Sequence, residues 1–352
     1  MKINKHIIFL TIAISIIFVP FVHARTWTAK NGHKIEGDFV KFENEIVNID
    51  LPGGKTANVK LDQLCDEDQE FIKSQKQTDD TTKQILNEFK DYQDYVKNNG
   101  KSKDYIEEKK NDKLSIWKKA AEQGIAEGQI LYGLYFTVVK KNNTEGSRWF
   151  RRAAEQGNAE GQARFGYCYE SGTGVSQDYV EAAKWYRKSA EQGFAYGQRN
   201  LGSYYEHGVG VKKDLEEAFK WYRKAAEQGY AQAQRDLGVC YENGYGVKED
   251  IKEAVKWYRK AAQQGNASGQ CNLGLCYASG TGVTKNLTIA IGWYRKAAEQ
   301  GDSNGQFKLG ACYMLGGNTV EGIKWIRKSA NQGNPDAVRF LFQSNIPLQE
   351  GG

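Results

Sequence analysis

Histidine is nearly missing from this chain. Four occur in 352 residues, and two of them, His6 and His23, fall in an N-terminal segment read below as a removable signal. That leaves His33 and His207, so a Ser-His-Asp constellation would have to use one of these two. There is no HExxH run and no cysteine–histidine cluster with zinc spacing, so metal-hydrolase chemistry has no sequence support. The chain also lacks a strong charge of one sign. Its formal net charge of +6 includes Lys2 and Lys5, and the remaining acids and bases are closely interleaved, which reads as a solvated surface rather than a nucleic-acid footprint.

No apolar run reaches the roughly 20 residues that a membrane span requires. The thirteen-residue segment Ile7 to Val19 follows the basic Lys2 and Lys5 and ends at Pro20, and Val22-His23-Ala24 supplies a cleavage site. Residues 1–24 therefore read as a secretory signal peptide, the alternative being a short uncleaved anchor. No cysteine stands at the cut to take a lipid. The mature chain is expected to begin near Arg25, outside the cytoplasm, without stable membrane insertion. Export invites disulfides, but Cys168, Cys240, Cys276 and Cys312 recur at intervals of 72, 36 and 36, as equivalent positions of successive units. Equivalent points on neighbouring helices stand about 8–10 Å apart, beyond the bridging limit of about 7 Å. Cys271 and Cys276, five apart on one helix, point to different faces. Buried free thiols are expected.

What the chain has is repetition. Lys184-Trp185-Tyr186-Arg187-Lys188-Ser189-Ala190-Glu191-Gln192-Gly193 recurs almost unchanged, and the closing glycines fall at 124, 157, 193, 229, 265, 301 and 333. A fixed period near 36 residues means stacked supersecondary units, none of which buries its apolar face alone. In unit 194–229 a first helix carries Gly197-Gln198-x-x-Leu201-Gly202-x-x-Tyr205. A loop, Gly208-Val209-Gly210-Val211, follows, and a second helix runs from Asp214 through Ala218, Trp221, Tyr222, Ala225 and Ala226 to Gly229. Asp178, Asp214 and Asp250, each with Glu at the third helical position, are helix starts, and the closing glycines suit the left-handed residue after a helix end. Gly202, Gly238 and Gly274 let helices approach closely. The Trp-Tyr pairs at 185/186, 221/222, 257/258 and 293/294 read as inter-repeat core, with Arg187 and Lys188 and their equivalents as a charged stripe pairing with Glu191 and Glu227.

Before the repeats, residues 25–73 read as a small β domain. Apolar residues run through Ile35, Phe39 and Phe42, then Ile46, Ile49 and Leu51, with a turn at Pro52-Gly53-Gly54 and a further strand at Val59 and Leu61. Asp66-Glu67-Asp68-Gln69 has the form of a helix start. Residues 74–112 read as a polar linker or helix, with Thr78-Asp79-Asp80-Thr81 as a start, Ile85, Phe89 and Tyr92 at helical spacing, and Lys109-Lys110-Asn111-Asp112 as solvated connection.

The pattern A-x-x-G-Q-x-x-L-G-x-x-Y-x-x-G-x-G-V-x-x-D-x-x-E-A-x-K-W-Y-R-K-A-A-E-Q-G resembles the Sel-1-like repeat family, related to tetratricopeptide repeats, over residues 113–345. Six full units span 125–333, from 125–157 to 302–333. A second helix at 113–124 precedes them, a partnerless first helix at 334–345 follows, and 346–352 form a tail. Units 125–157 and 302–333 lack the G-x-G-V loop. Some exported members bridge successive units by a cysteine pair; here those positions read Ala262 and Gln270, for example, and that framework is absent. Residues 25–73 are similar to the Sla-1 homology domain, an SH3-like module. The similarity rests on Arg25-Thr26-Trp27-Thr28, the Gly32 turn, Glu36 to Val40, Pro52-Gly53-Gly54-Lys55 and Leu61-Asp62-Gln63-Leu64 with Glu67-Asp68-Gln69-Glu70-Phe71-Ile72. The resemblances imply a mainly α fold: a right-handed α-solenoid of helix–turn–helix units preceded by a small SH3-like β domain, of a kind that in its family can bind short peptides.

Chemistry is sparse. Ser115-Ile116-Trp117-Lys118 matches S-x-x-K without S-D-N or K-T-G partners. The glycine pairs 172/174, 208/210, 244/246 and 280/282 recur without the strand that a dinucleotide fold needs, and read as turns. No cofactor and no catalytic residue is expected. In the family the first helices line the concave face. By that resemblance the inward positions are Tyr196, Arg199, Ser203 and Glu206; Gln232, Arg235, Val239 and Glu242; Glu160, Ala163, Tyr167 and Glu170; and Ser268, Cys271, Leu275 and Ala278. The Arg199/Arg235 and Glu206/Glu242 rows, with Tyr167, Tyr196 and Gln232, form the candidate site for an extended peptide or a helix of a protein partner. The expectation is thus an exported non-catalytic scaffold. The alternatives are an envelope enzyme or binding protein acting on cell-wall glycan or β-lactam, and an oligomeric element self-associating through the groove.

Overall fold

The computed structural model describes residues 25–30, 34–43, 45–51, 55–99 and 102–348. The expectations for 1–24, His33, the Gly32 and Pro52-Gly53-Gly54 turns and residues 349–352 lie outside the described residues. The chain divides into two compact units, Met1–Glu88 and Phe89–Gly352.

In the first unit β1 (Arg25–Thr28), β2 (Lys34–Glu43), β3 (Ile46–Leu51) and β4 (Lys55–Lys60) form an antiparallel sheet in sequence order. A single 3-10 turn, Leu61–Gln63, then returns the chain to β1, where Ala29 bridges to Leu64. Trp27, Val47, Ile49, Leu64 and Ile72 close the core. Ile46 is 39 % exposed. Side chains three apart in a strand point to opposite sides, so Val47 rather than Ile46 shares the buried face of β3 with Ile49. α1 (Asp66–Asn99) begins where expected, and buried Asp68 accepts the Thr28 backbone N–H at 2.7 Å.

No helix starts at Thr78–Thr81; α1 runs straight through it. The hydroxyls of Thr78, Thr81 and Thr82 donate to the carbonyls of Ser74, Gln77 and Thr78, so they are satisfied within the helix and free no backbone group for a cap. Lys109–Asp112 is likewise helical, inside α2 (Ser102–Glu122), where Glu107 and Lys110 form a surface pair at 2.6 Å. Good helix formers in a charged run solvate one face of a helix as readily as a loop.

In the second unit the repeats follow as helix pairs. First helices are α3 (Ala126–Val138), α5 (Ala159–Ser171), α7 (Ala195–His207), α9 (Ala231–Asn243), α11 (Ala267–Ser279) and α13 (Ser303–Leu315). Their second helices are α4 (Asn143–Glu155), α6 (Tyr179–Glu191), α8 (Leu215–Glu227), α10 (Ile251–Gln263), α12 (Leu287–Glu299) and α14 (Thr319–Asn331). α15 (Pro335–Gln343) ends the array as a first helix without a partner. Asp178, Asp214 and Asp250 accept backbone N–H groups of the following turn, as their spacing predicts.

A buried glutamine ties each unit to its neighbour. Gln198 is 4 % exposed. Its Oε1 accepts from Gln228 at the end of the same unit at 2.7 Å, while its Nε2 donates to the Ala190 carbonyl of the preceding unit at 3.2 Å. Gln162, Gln234, Gln270 and Gln306 repeat both bonds. Within a unit the Leu-Gly glycine carries the packing. A Cβ on Gly238 would stand 2.5 Å from the ring of fully buried Tyr258, and Gly202 and Gly274 meet Tyr222 and Tyr294 in the same way. The loop glycines join units: Gly246, at φ +68°, lies so close to the first turn of α8 that a Cβ would sit 2.0 Å from the Leu215 carbonyl.

Two outcomes follow. Gly238→Ala should cost about 1–3 kcal/mol by overpacking against Tyr258, whereas Gly292→Ala, a helical site with open space around it, should gain up to about 1 kcal/mol of propensity. Denaturant titration of both variants gives the opposite signs. Burial pushes the thiols of Cys168, Cys240 and Cys271 up from 9.0 to about 12. An acid held neutral by the fold adds stability that is present below pH 9 and lost as pH rises towards 12. Urea midpoints should therefore fall between pH 9 and 12, less steeply in Cys168→Ala/Cys240→Ala, and none of the three thiols should alkylate in the native protein at pH 8.

Candidate functional site

Successive first helices touch one another, at α3–α5, α5–α7, α9–α11 and α11–α13, and no pair of successive second helices does so to the same extent. An array whose first helices are the more closely spaced curves with those helices inside. The inner face is therefore built from the first-helix positions before and after Leu-Gly.

At α5 this face is already covered. Tyr92, from the last turns of α1, is 1 % exposed and donates its hydroxyl to Glu160 at 3.2 Å. Arg164 pairs with Glu160 at 2.6 Å, bonds the same Tyr92 hydroxyl and lies over the Phe150 ring. Burial drives the Tyr92 phenol upward, so it stays protonated as the donor. Glu160 and Ala163, expected to face the groove openly, are 7 % and 0 % exposed, and Cys271 is 7 % exposed. These three are corrected from groove lining to buried positions. Ala163 and Cys271 each join an apolar core cluster, and Glu160 is sealed by Tyr92.

The Glu206/Glu242 row also has a role that the sequence did not show. The Tyr222 hydroxyl donates to Glu206 and the Tyr258 hydroxyl to Glu242, each at 2.5 Å, and Tyr186 bonds Glu170 in the same way. These carboxylates satisfy the buried tyrosine of their own unit, which is the more economical explanation of their repetition. The arginine row is separate from them. Arg199 Nε donates to Asp236 Oδ2 at 2.8 Å, and Arg235 Nη1 lies 3.0 Å from Asp236 Oδ1. Asp236, 5 % exposed, is the residue that gathers both arginines. Its signal was an acid directly after Arg235, on the position that reads Arg164 and Asn200 in the two units before it.

Tyr196 is half-buried and packs edge-on against Tyr186, and Gln232 is exposed. Tyr167 stays 49 % exposed and Leu275 44 %, with half-buried Ser203 and Val239 between them in the same row. The Trp-Tyr pairs do lie in the core between repeats: Tyr186, Tyr222, Tyr258, Tyr294 and Trp257 are buried, Trp185, Trp221 and Trp293 are half-buried, and each tryptophan takes a cation over its ring. Lys188, Lys224, Lys260 and Lys296 stand 4.0, 4.0, 3.6 and 4.5 Å from Trp185, Trp221, Trp257 and Trp293. The expected pairing of Lys188 with Glu191 gives way to this contact, and Arg187 bonds the Tyr205 hydroxyl of the next unit at 2.6 Å. Arg223 does pair with Glu227, at 2.7 Å.

No group of His, Cys, Asp and Glu among the described residues could hold a metal ion. Ser115 and Lys118 are exposed on α2. His207 Nδ1 lies 2.8 Å from the Ser203 carbonyl, beside an open depression of about 260 Å³ lined by Glu206, Lys213, Leu215 and Tyr245. No described helix is long and apolar enough to cross a membrane.

Asp236→Asn should leave two cations without their shared counter-charge. With the arginines a third exposed, a loss of about 1–3 kcal/mol is expected, and it should shrink in the Arg199→Met/Arg235→Met background. A double-mutant cycle in denaturant measures both.

Comparison with known proteins agrees with this architecture. The Sel1 repeat profile matches at 128–158, 159–194, 195–230, 231–266, 267–302 and 303–334. Among solved structures, a Sel1 repeat protein from Oxalobacter formigenes is 37 % identical over 59 % of this chain and 86 % of its own, with a TM-score of 0.56. The c5321 protein, a protective antigen of uropathogenic Escherichia coli displaying an SLR fold, is 36 % identical over 65 % of this chain, with a TM-score of 0.54. The match spans 50 % of that protein's length. No curated protein matches the chain significantly. With six consecutive matches covering more than half its length, this chain belongs to the Sel1 repeat family.

Proposed function

We propose that the protein is an exported, non-catalytic scaffold that seats an extended segment or a helix of a protein partner on its first-helix face. A Sel1 repeat solenoid is an architecture typical of protein-interaction scaffolds. The observation that carries the reading is the contrast between frame and face. The buried glutamines and tyrosines repeat unit after unit, whereas the position after Leu-Gly changes from Tyr167 to Ser203, Val239 and Leu275, and the first and last of these stay about half exposed. An exposed apolar row within a curved face is where a partner's side chains gain most by burial.

Residues 1–24 act in this reading as a signal peptide that takes the chain out of the cytoplasm, and 25–73 as an SH3-like module that adds a second peptide contact. The solenoid, 113–345, carries the groove, and residues 74–112 supply the helices that lead into it. Fractionation should recover the protein outside the cytoplasm with Arg25 as its first residue; recovery in the cytoplasm would remove the export half of the proposal.

The groove is tested by crosslinked pull-down from native envelope extract, with the mature chain and its Tyr167→Lys/Leu275→Lys variant as baits. One protein recovered by the wild type and reduced at least tenfold by the variant is the expected result. Equal recovery by both baits would move binding off this face.

A further inference from the structure

We propose that the part of the face around Asn200 is a carboxylate-binding subsite, so that the partner presents an acidic side chain there. This rests on the groove reading above and names the partner's chemistry.

Four side chains from two units form one hydrogen-bonded cluster: Arg199 and Asn200 on α7, Arg235 and Asp236 on α9. Arg199 Nε reaches Asp236 Oδ2 at 2.8 Å, and its Nη1 reaches Asn200 Oδ1 at 3.3 Å. Arg235 Nη1 lies 3.0 Å from Asp236 Oδ1. Two guanidinium groups therefore share one carboxylate, and the cluster keeps one uncompensated positive charge.

It is also short of acceptors. Asn200 is 7 % exposed and its amide lies beside the Tyr196 hydroxyl without a well-formed hydrogen bond to it, while the Nε of Arg235 is a buried donor without a hydrogen-bond partner. Both Asp236 oxygens and Asn200 Oδ1 are already taken. A buried donor left unsatisfied is destabilising, because it gave up its water and gained no acceptor. What the cluster lacks is an anionic acceptor of a single charge, and a carboxylate supplies that charge together with two acceptor oxygens.

The arginines keep 28 % and 34 % of their side chains exposed, so an approaching carboxylate meets their guanidinium groups first. Arg235 is held by that one ion pair on a flexible stem, and its rotation opens the buried donors to the ligand. Glu206 and Glu242, each seven residues further along its helix, repel a second acid placed two turns away. The site thus selects one acidic residue at one position, with apolar neighbours lying towards Leu275 and Tyr167.

The test uses the full mature chain and a phage-displayed library of random dodecapeptides, with affinities of selected peptides measured by fluorescence anisotropy. Selected peptides should share an Asp or Glu at one position. Binding should weaken at least fivefold for Arg235→Met and equally for the peptide with that acid changed to its amide, and combining the two changes should add little. Asn200→Leu removes that amide and with it the acceptor of Arg199 Nη1, a group exposed enough to turn to water, so it should still unfold in one cooperative transition while losing affinity. Selected peptides without a common acid, or a loss below fivefold in Arg235→Met, would overturn the subsite. If such peptides still fail on Tyr167→Lys/Leu275→Lys, the groove stands and only the carboxylate chemistry falls. Peptides indifferent to both variants, or no selected peptide at all, would overturn both readings.

Discussion

One buried amide governs how this array propagates. The glutamine after the first-helix Gly or Ala, Gln198 in its unit, bonds forward to Gln228 and back to the Ala190 carbonyl of the unit before. An amide needs an acceptor for its N–H and a donor for its oxygen, and when buried it must find both. Here each comes from a different helix, so the glutamine is satisfied only when its own second helix and the previous unit are both in register. Buried polar networks of this kind fix geometry as well as contributing stability, because any slip leaves several groups unpaired at once.

The remaining constraints follow from that register. With second helices pinned, the buried tyrosine ring of units such as 230–265 lies against the Leu-Gly backbone of its own first helix, and a side chain at Gly238 would collide with it. The tyrosine hydroxyl then requires an acceptor at the inner rim, which Glu170, Glu206 and Glu242 provide. In unit 266–301 that position is Ala278, so the requirement is not absolute. α15 departs from this pattern. Phe342 stands where other units place the glycine that receives a ring, and it is 84 % exposed. A further second helix could not seat there as it does in the other units.

The inner face is what this frame leaves over. Positions used by the amide, the ring and the glycine cannot vary without cost, and those between them can. Arg199, Arg235 and Asp236 use that freedom to build a charged cluster across two units. Tyr167, Val239 and Leu275 use it to present apolar surface. At α5 the same freedom serves the chain itself, where Glu160 and Arg164 take Tyr92 of α1.

The repeat period, helix caps, closing glycines and the close approach of helices at the Leu-Gly glycines were legible in the sequence, because each depends on a pattern that is written again from unit to unit; that a tyrosine ring fills the approach was not. The burial of Cys168, Cys240 and Cys276 was legible from their spacing, whereas Cys312, at the equivalent position, is only half-buried. The start of α1 at Asp66 was readable too, but its passage through Thr78–Thr81 was not. A threonine that caps a helix and one that bonds back within it carry the same letter, and only the backbone around it distinguishes them. The sequence alone determined that this is a stacked array of alternating first and second helices. Only the tertiary structure decided which of their side chains remain available. Asp236 gathers two arginines from neighbouring units, two of the glutamates are claimed by tyrosines sixteen residues away, and Tyr92 closes one end of the face from 68 residues upstream. Those assignments depend on distances between helices, which a one-dimensional period does not contain.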